Sequence, residues 1–195
     1  MESLELKDIS LAAKIFSKAM VNDPLHVFFF PNPKTRERKI FSLYYFSMKI
    51  NHLNVQRTTD NFEGVILLEK PFEHIFKISL KEFIFGSFLF FKVGPRSLLR
   101  MMKYQEWSSK LKKESIADPY WYLGVVVVDP DCQGKGFASK LIKPMLAKAD
   151  EQNHKVYLET QNPNNIPIYE KYGFVTVSEH KIPGSDVFHY IMVRN

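Results

Sequence analysis

Three features of this chain predict an α/β protein built on a mixed sheet. Apolar residues recur at helical spacing from Lys7 to Val21 and again from about Lys34 to His52. Trp121 to Val128 is an unbroken apolar run ended by Asp129-Pro130, too uniform to leave one face in water, which predicts a strand in the middle of a sheet. Beyond it the signals run strand, helix, strand, helix, strand, strand. At 195 residues with 45% hydrophobic content, the chain suits one domain with its own core.

In the first helix Ile9, Leu11, Ile15, Phe16 and Met20 carry the pattern, and Asn22-Asp23-Pro24 stops it. In the second, Ile40, Phe41, Leu43, Tyr44 and Met48 form a stripe opposite Lys34, Arg36, Glu37 and Arg38. Short strands follow at Asn54 to Thr58 and Gly64 to Leu68, joined by the turn-prone Asp60-Asn61. Residues 71–118 then read as a helical insertion. Phe76, Leu80, Phe83 and Ile84 repeat at helical spacing with Ile75 and Ile78 beside them, and Leu98, Leu99, Met102, Tyr104 and Trp107 do so more loosely. Core packing explains these aromatics, and a roof over a pocket is the alternative.

Residues 119–195 hold the clearest pattern. After the strand, a glycine-containing loop enters a helix from about Gly134 to Asn153, whose apolar face is Phe137, Ala138, Leu141, Ile142, Met145, Leu146 and Ala149. Pro144 should kink it. A strand at Lys155 to Thr160, a short helix from about Asn165 to Tyr172 ended by Gly173, and strands at Phe174 to Lys181 and Val187 to Val193 complete the chain.

Composition excludes some functions. A lone cysteine, Cys132, forms no internal disulfide, and Met1 to Ile9 has no apolar signal-peptide core, so a cytoplasmic setting is expected. Phe83 to Phe91 is far short of the roughly 20 residues that cross a bilayer, so no membrane partner is expected. The net charge of +6 is spread along the chain without a dense basic stripe, which points away from nucleic acid and suits an enzyme that binds a polyanionic ligand. His154, His180 and His189 show no ligand spacing with Cys132 or each other, so no metal is expected and each reads as a surface or satisfied histidine.

Gln133-Gly134-Lys135-Gly136-Phe137-Ala138 joins the buried strand to a helix, so its glycines let the backbone approach a ligand while the helix start offers free N–H groups. A Walker A loop would need Ser or Thr after Gly-Lys, where Gly136 stands, and a dinucleotide fingerprint would need glycine at Ser139. The loop resembles the pattern Arg/Gln-x-x-Gly-x-Gly/Ala of the GNAT superfamily of N-acetyltransferases, matched by Gln133, Gly136 and Ala138. Its setting strengthens the resemblance: Trp-Tyr-Leu-Gly-(Val)4-Asp-Pro before it, Leu158-Glu159-Thr160 after it, and Asn162 seven residues ahead of Tyr169-Glu170-Lys171-Tyr172-Gly173-Phe174. The resemblance covers Trp121 to Phe174, while the insertion before it is similar to the puromycin-acetyltransferase-like branch.

That resemblance implies a mostly antiparallel sheet flanked by helices, and acetyl-CoA as acyl donor. It assigns the pantetheine arm to the backbone of Val126 and Val128, with an N–H of Val126 or Val127 at the thioester carbonyl. It assigns the diphosphate to the amides of Gln133, Gly134, Lys135, Gly136, Phe137, Ala138 and Ser139, with the Lys135 ammonium either adding charge or merely solvated. Asn162 matches the asparagine that meets the pantetheine, and also reads as a helix cap before Pro163. Tyr169 matches the tyrosine that protonates the departing thiolate, while Tyr172 reads as a packing residue. An ammonium acceptor must lose a proton before it attacks, and Glu159 is the leading base, with pairing to a lysine as its structural alternative.

The favoured acceptor is the amine of a small molecule. A protein N-terminus or lysine, a non-catalytic acyl-CoA sensor, and a nucleic-acid surface stand as alternatives. The oligomeric state is open, a homodimer included.

Overall fold

The apolar stripes of the first half bind helices to one face of the sheet. In α1 (Ile9–Ala19) the residues Ile9, Ala12, Ala13, Ile15 and Phe16 are all buried. They pack against Ile40, Tyr44 and Met48 of α3 (Pro33–Asn51) in one core cluster. Between them the chain does not stop at Asn22-Asp23-Pro24 but starts a further helix, α2 (Pro24–Phe29), too short for periodicity to reveal. Asp23 caps it, accepting from the N–H groups of Leu25 and His26, and Pro24 sits where a helix N–H has no partner to lose. This is the arrangement in a computed structural model that describes residues 2–51, 54–58, 61–71, 89–117 and 119–195.

Among the described residues seven strands form one sheet: β1 (Glu2–Ser3), β2 (Val55–Arg57), β3 (Gly64–Glu69), β4 (Tyr120–Val128), β5 (Lys155–Thr160), β6 (Val175–Lys181) and β7 (Phe188–Arg194). Their order is β1-β2-β3-β4-β5-β7-β6. β4 and β5 run parallel and the other pairs antiparallel, so the sheet is mixed, as the residues predict, and mostly antiparallel, as the family resemblance implies. Parallel neighbours need a crossover, supplied by α5 (Phe137–Glu151). Leu141, Ile142, Met145, Leu146 and Ala149 of α5 are buried against Trp121, Leu123, Val156 and Leu158. Each large side chain there contributes about 1.5–3 kcal/mol of apolar burial. The helix continues beyond Pro144 to Glu151.

Within the insertion, residues 89–93 are helical and α4 (Pro95–Ser115) follows. The expected stripe is only partly inward: Leu98, Met101 and Tyr104 pack on the core, whereas Leu99 and Met102 are exposed. Phe76, Leu80, Phe83, Ile84, Ile75 and Ile78 lie outside the described residues, as does Asp60 of the expected turn. The short helix α6 (Ile166–Glu170) precedes a turn at Gly173, whose φ of +87° is the left-handed conformation that favours glycine. Among the described residues no helix is long and apolar enough to cross a membrane.

Candidate active site

The sheet opens where strand pairing ends. β4 pairs with β5 from Tyr120 opposite Lys155 to Leu123 opposite Leu158, and the ladder goes no further. On its other edge β4 stays paired with β3 through a register shift, Leu67 opposite Val125 but Leu68 opposite Leu123, which leaves Gly124 as an extra residue. Glycine fits this bulge because a Cβ would lie 2.9 Å from Leu67 Cδ2 and 3.1 Å from the Leu67 carbonyl. Past the bulge Val126 packs toward α5, while Val125 and Val127 pack with α1 and α3. The apolar strand is therefore central, yet Val125, Val126 and Val128 keep partial exposure in the gap beside β5.

A 3-10 turn at Pro130–Cys132 leads from β4 into the glycine loop. Gly134 and Gly136 have φ of +76° and +81°, and Gly136 starts α5 without a side-chain cap. A Cβ on either would meet nothing within 4 Å among the described residues, so both are open on that side. The N–H groups of the first turn, at Phe137, Ala138 and Ser139, have no intrahelical acceptor and suit an anion. Two side chains brace the loop from within: Gln133 Nε2 donates to the Val128 carbonyl (3.4 Å) and Lys135 Nζ to that of Asp131 (3.0 Å). Lys135 is thus bonded to its own loop. Ser139 Oγ lies 2.6 Å from the Tyr172 hydroxyl. Asn162 caps a 3-10 turn, its Oδ1 accepting from the Asn164 N–H at 3.1 Å, as its structural reading expects.

Beside the gap is a cavity of about 940 Å³. Gly124, Val125, Val126, Glu159 and Tyr169 line it, so the expected acetyl-bearing edge, base and acid share one space, whereas the phosphate loop and Asn162 lie outside its lining. The Tyr169 ring packs edge-on against Phe174 at 5.9 Å, and desolvation pushes its phenol up to about 12, with the nearby Tyr172 and Asp23 adding to the effect. That keeps it protonated and able to give a proton. Burial raises the pKa of Glu159, opposed by a 2.7 Å hydrogen bond from the Tyr157 hydroxyl to its Oε1 and by the charge of Lys112. The Lys112 ammonium stands 3.7 Å from the Tyr122 ring centre and 5.5 Å from those of Tyr120 and Tyr157. Both roles read for Glu159, base and lysine partner, thus have a physical footing.

Sequence reasoning missed several polar groups here. Asp23, His26 and Tyr44 line the cavity from the helical side, and Tyr104 and Gln161 also line it. Gln161 Nε2 donates to His189 Nδ1 at 2.9 Å, with the Tyr104 hydroxyl 3.1 Å from the same nitrogen. His189 is fully buried and, among the described residues, its Nε2 has no hydrogen-bond partner, so it is neither at the surface nor satisfied at both ring nitrogens. Burial, with the charge of His180, lowers its pKa to about 4 and keeps it neutral. The signal for the first group was the Asp23-x-x-His26 spacing after a helix, legible only once α2 is known to exist.

Residues 73–174 match the model of the acetyltransferase (GNAT) family. An uncharacterized N-acetyltransferase of Schizosaccharomyces pombe is 45% identical over 58 residues, which cover 30% of this chain and 24% of that relative's length. Among solved structures, a histone acetyltransferase HPA2 and related acetyltransferase from Corynebacterium glutamicum superimposes with TM-score 0.64 at 20% identity over 99% of this chain and 93% of its own. Arylalkylamine N-acetyltransferase 2 from Aedes aegypti gives 0.59 at 13% identity over 99% and 96%. A NatC complex bound to Gag peptide and CoA gives 0.52 at 14% identity over 99% and 95%. These likenesses concern the fold.

Proposed function

The chain belongs to the acetyltransferase (GNAT) family, and from that premise we propose that it transfers an acetyl group from acetyl-CoA to the primary amine of a small molecule. The observation that carries the reading is the meeting of the unpaired edge of β4, beyond Leu123, with a deep cavity that holds Tyr169. An arm of pantetheine suits that edge, as an added strand would, and the uncapped start of α5 with its two open glycines suits the diphosphate. When bound, the donor supplies a thioester carbonyl for attack.

In this reading an N–H of Val126 or Val127 holds the carbonyl oxygen as charge develops on it, and Tyr169 protonates the leaving sulfur. A cavity group takes the proton of the acceptor ammonium, Glu159 being the candidate on the sheet. A cavity of this size, walled by tyrosines with Asp23, Glu69 and Glu159 among them, favours a small cationic acceptor over an extended peptide. A retained, protonated Tyr169 favours an enzyme over a sensor.

Thiol release from acetyl-CoA over a panel of small primary amines and of peptides with free N-termini or lysines tests this. Turnover with small amines alone supports the reading, and turnover with peptides alone moves it to a protein acceptor. Tight CoA binding without any turnover leaves a sensor.

A further inference from the structure

On the helical wall of the cavity three side chains form a hydrogen-bonded chain. Asp23 Oδ1 accepts from the Leu25 N–H (3.1 Å), the His26 N–H (3.2 Å) and His26 Nδ1 (2.7 Å). A carboxylate on Nδ1 fixes the tautomer, so Nε2 presents its lone pair. Nε2 lies 3.1 Å from the Tyr44 hydroxyl, a buried phenol whose pKa desolvation raises, so Tyr44 donates there. The corner is rigid, because the buried Arg36 guanidinium donates to the carbonyls of Phe30 (2.7 Å), Val21 (3.2 Å) and Pro31 (3.1 Å). Capping α2 accounts for Asp23 alone. It requires neither a histidine on the same oxygen nor a buried tyrosine on the far ring nitrogen.

We propose that Asp23, His26 and Tyr44 form the relay that takes the proton from the acceptor amine, so that the base lies on the helical wall and not at Glu159; this rests on the acetyl-transfer reading. Glu159 already accepts a hydrogen bond from the Tyr157 hydroxyl and faces a cation held by three tyrosine rings, an arrangement suited to a fixed counter-charge. Among the described residues, the titratable groups bonded to His26 are Asp23 on its own turn and Tyr44 from α3, with Tyr104 of α4, Tyr169 of α6, Glu69, Glu159, Lys112 and Lys113 also on the cavity wall. Burial raises the pKa of the Tyr104 and Tyr169 phenols, with the charges of Glu159 and then Asp23 adding at Tyr104 and those of Tyr172 and then Asp23 adding at Tyr169, and the triad and the proposed acid line the same cavity.

The steps balance. An N–H bond of the ammonium breaks and its proton joins the Tyr44 oxygen while the proton of Tyr44 passes to His26 Nε2, with Asp23 opposite the imidazolium. The freed lone pair forms the C–N bond to the acetyl carbon and the C–S bond breaks. Sulfur takes the proton of Tyr169, the second proton leaving nitrogen restores Tyr169, and His26 later returns its proton to water.

The test is kcat/KM against pH, with one small primary amine at saturating acetyl-CoA, for the wild type, Asp23→Asn, His26→Gln, Tyr44→Phe and Glu159→Gln. Asn caps a helix as well as Asp does, so Asp23→Asn spares α2 and removes only the charge. Asp23→Asn and His26→Gln should each lower kcat by about 10²- to 10⁴-fold while calorimetric CoA affinity holds. The ascending limb should vanish in His26→Gln, whereas Glu159→Gln should raise KM and keep the limb. Retained kcat and limb in Asp23→Asn and His26→Gln overturn the proposal, and full kcat in Tyr44→Phe overturns the part of Tyr44. Should His26→Gln not fold, the other two variants decide. A wild type that binds CoA but releases thiol with no amine sinks the acetyl-transfer reading instead, which separates the two failures.

Discussion

The Tyr172 hydroxyl lies 2.6 Å from Ser139 Oγ, so the turn after α6 is tied to the first turn of α5, where the diphosphate is expected. Tyr169, three residues earlier, lines the cavity instead. The two tyrosines should therefore fail differently. Tyr169→Phe should lower kcat by about 10²- to 10⁴-fold with CoA affinity unchanged. Tyr172→Phe should cost about 1 kcal/mol of stability and leave kcat nearly intact. Steady-state kinetics and melting of both variants check this, and equal losses in both assays would mean a packing role for both rings.

Gly136 offers a test of the phosphate assignment. At φ +81° any side chain strains the backbone, by about 1 kcal/mol or more, yet a Cβ there meets no atom within 4 Å. Gly136→Ala should therefore lower the melting temperature with a modest effect on binding. Gly136→Asp adds a negative charge beside the free amides and should weaken CoA by at least about tenfold beyond the alanine variant, roughly 1.4 kcal/mol, in calorimetry. Equal affinities of the two variants would remove the diphosphate from this loop.

What could be read in advance follows from the range of each interaction. The stripe Ile9, Ile15 and Phe16 and the run Trp121 to Val128 announce their elements because burial acts on every third or second residue. The family resemblance likewise leads to Glu159 and Tyr169, and the two line one cavity. Six residues of α2 give periodicity too little length, so Asp23 looked like a stop when it is a cap. The pairing of Asp23 and His26 with Tyr44, and of His189 with Tyr104 across 85 positions, is set by tertiary packing, which no local pattern records. Even the inward face of α4 departs from its apolar pattern, since Leu99 and Met102 point out while Ser97 and Ser108 are buried.

His189 should make stability depend on pH. Its folded pKa of about 4 lies below the ordinary imidazole value of 6.5, so between these values the native state binds fewer protons than the unfolded chain. Stability is full above the unfolded value and is lost as the pH falls toward 4, by at most about 3 kcal/mol. His189→Gln should flatten this part of the profile in urea unfolding at pH 7 and pH 4.5. Parallel losses in the variant and the wild type would show that His189 accepts a proton without cost in the native state.

Gly124 is the position where fold and chemistry meet, because the same extra residue that shifts the β3–β4 register precedes the strand segment left without β5. A methyl group there would press on Leu67 Cδ2 at 2.9 Å and on the Leu67 carbonyl at 3.1 Å. The side chain of Leu67 can yield, but the carbonyl sits in the β-ladder and cannot. Gly124→Ala should therefore destabilise by about 1–3 kcal/mol, the range for overpacking, and lower kcat/KM further than that stability loss explains. Adding Leu67→Ala makes room for the methyl on one side only. The double variant should show a favourable coupling of about 0.5 kcal/mol or more in stability, while kcat/KM stays low because the backbone contact persists. Full recovery of activity in the double variant would mean that side-chain crowding, and not the course of the strand, connects Gly124 to the chemistry.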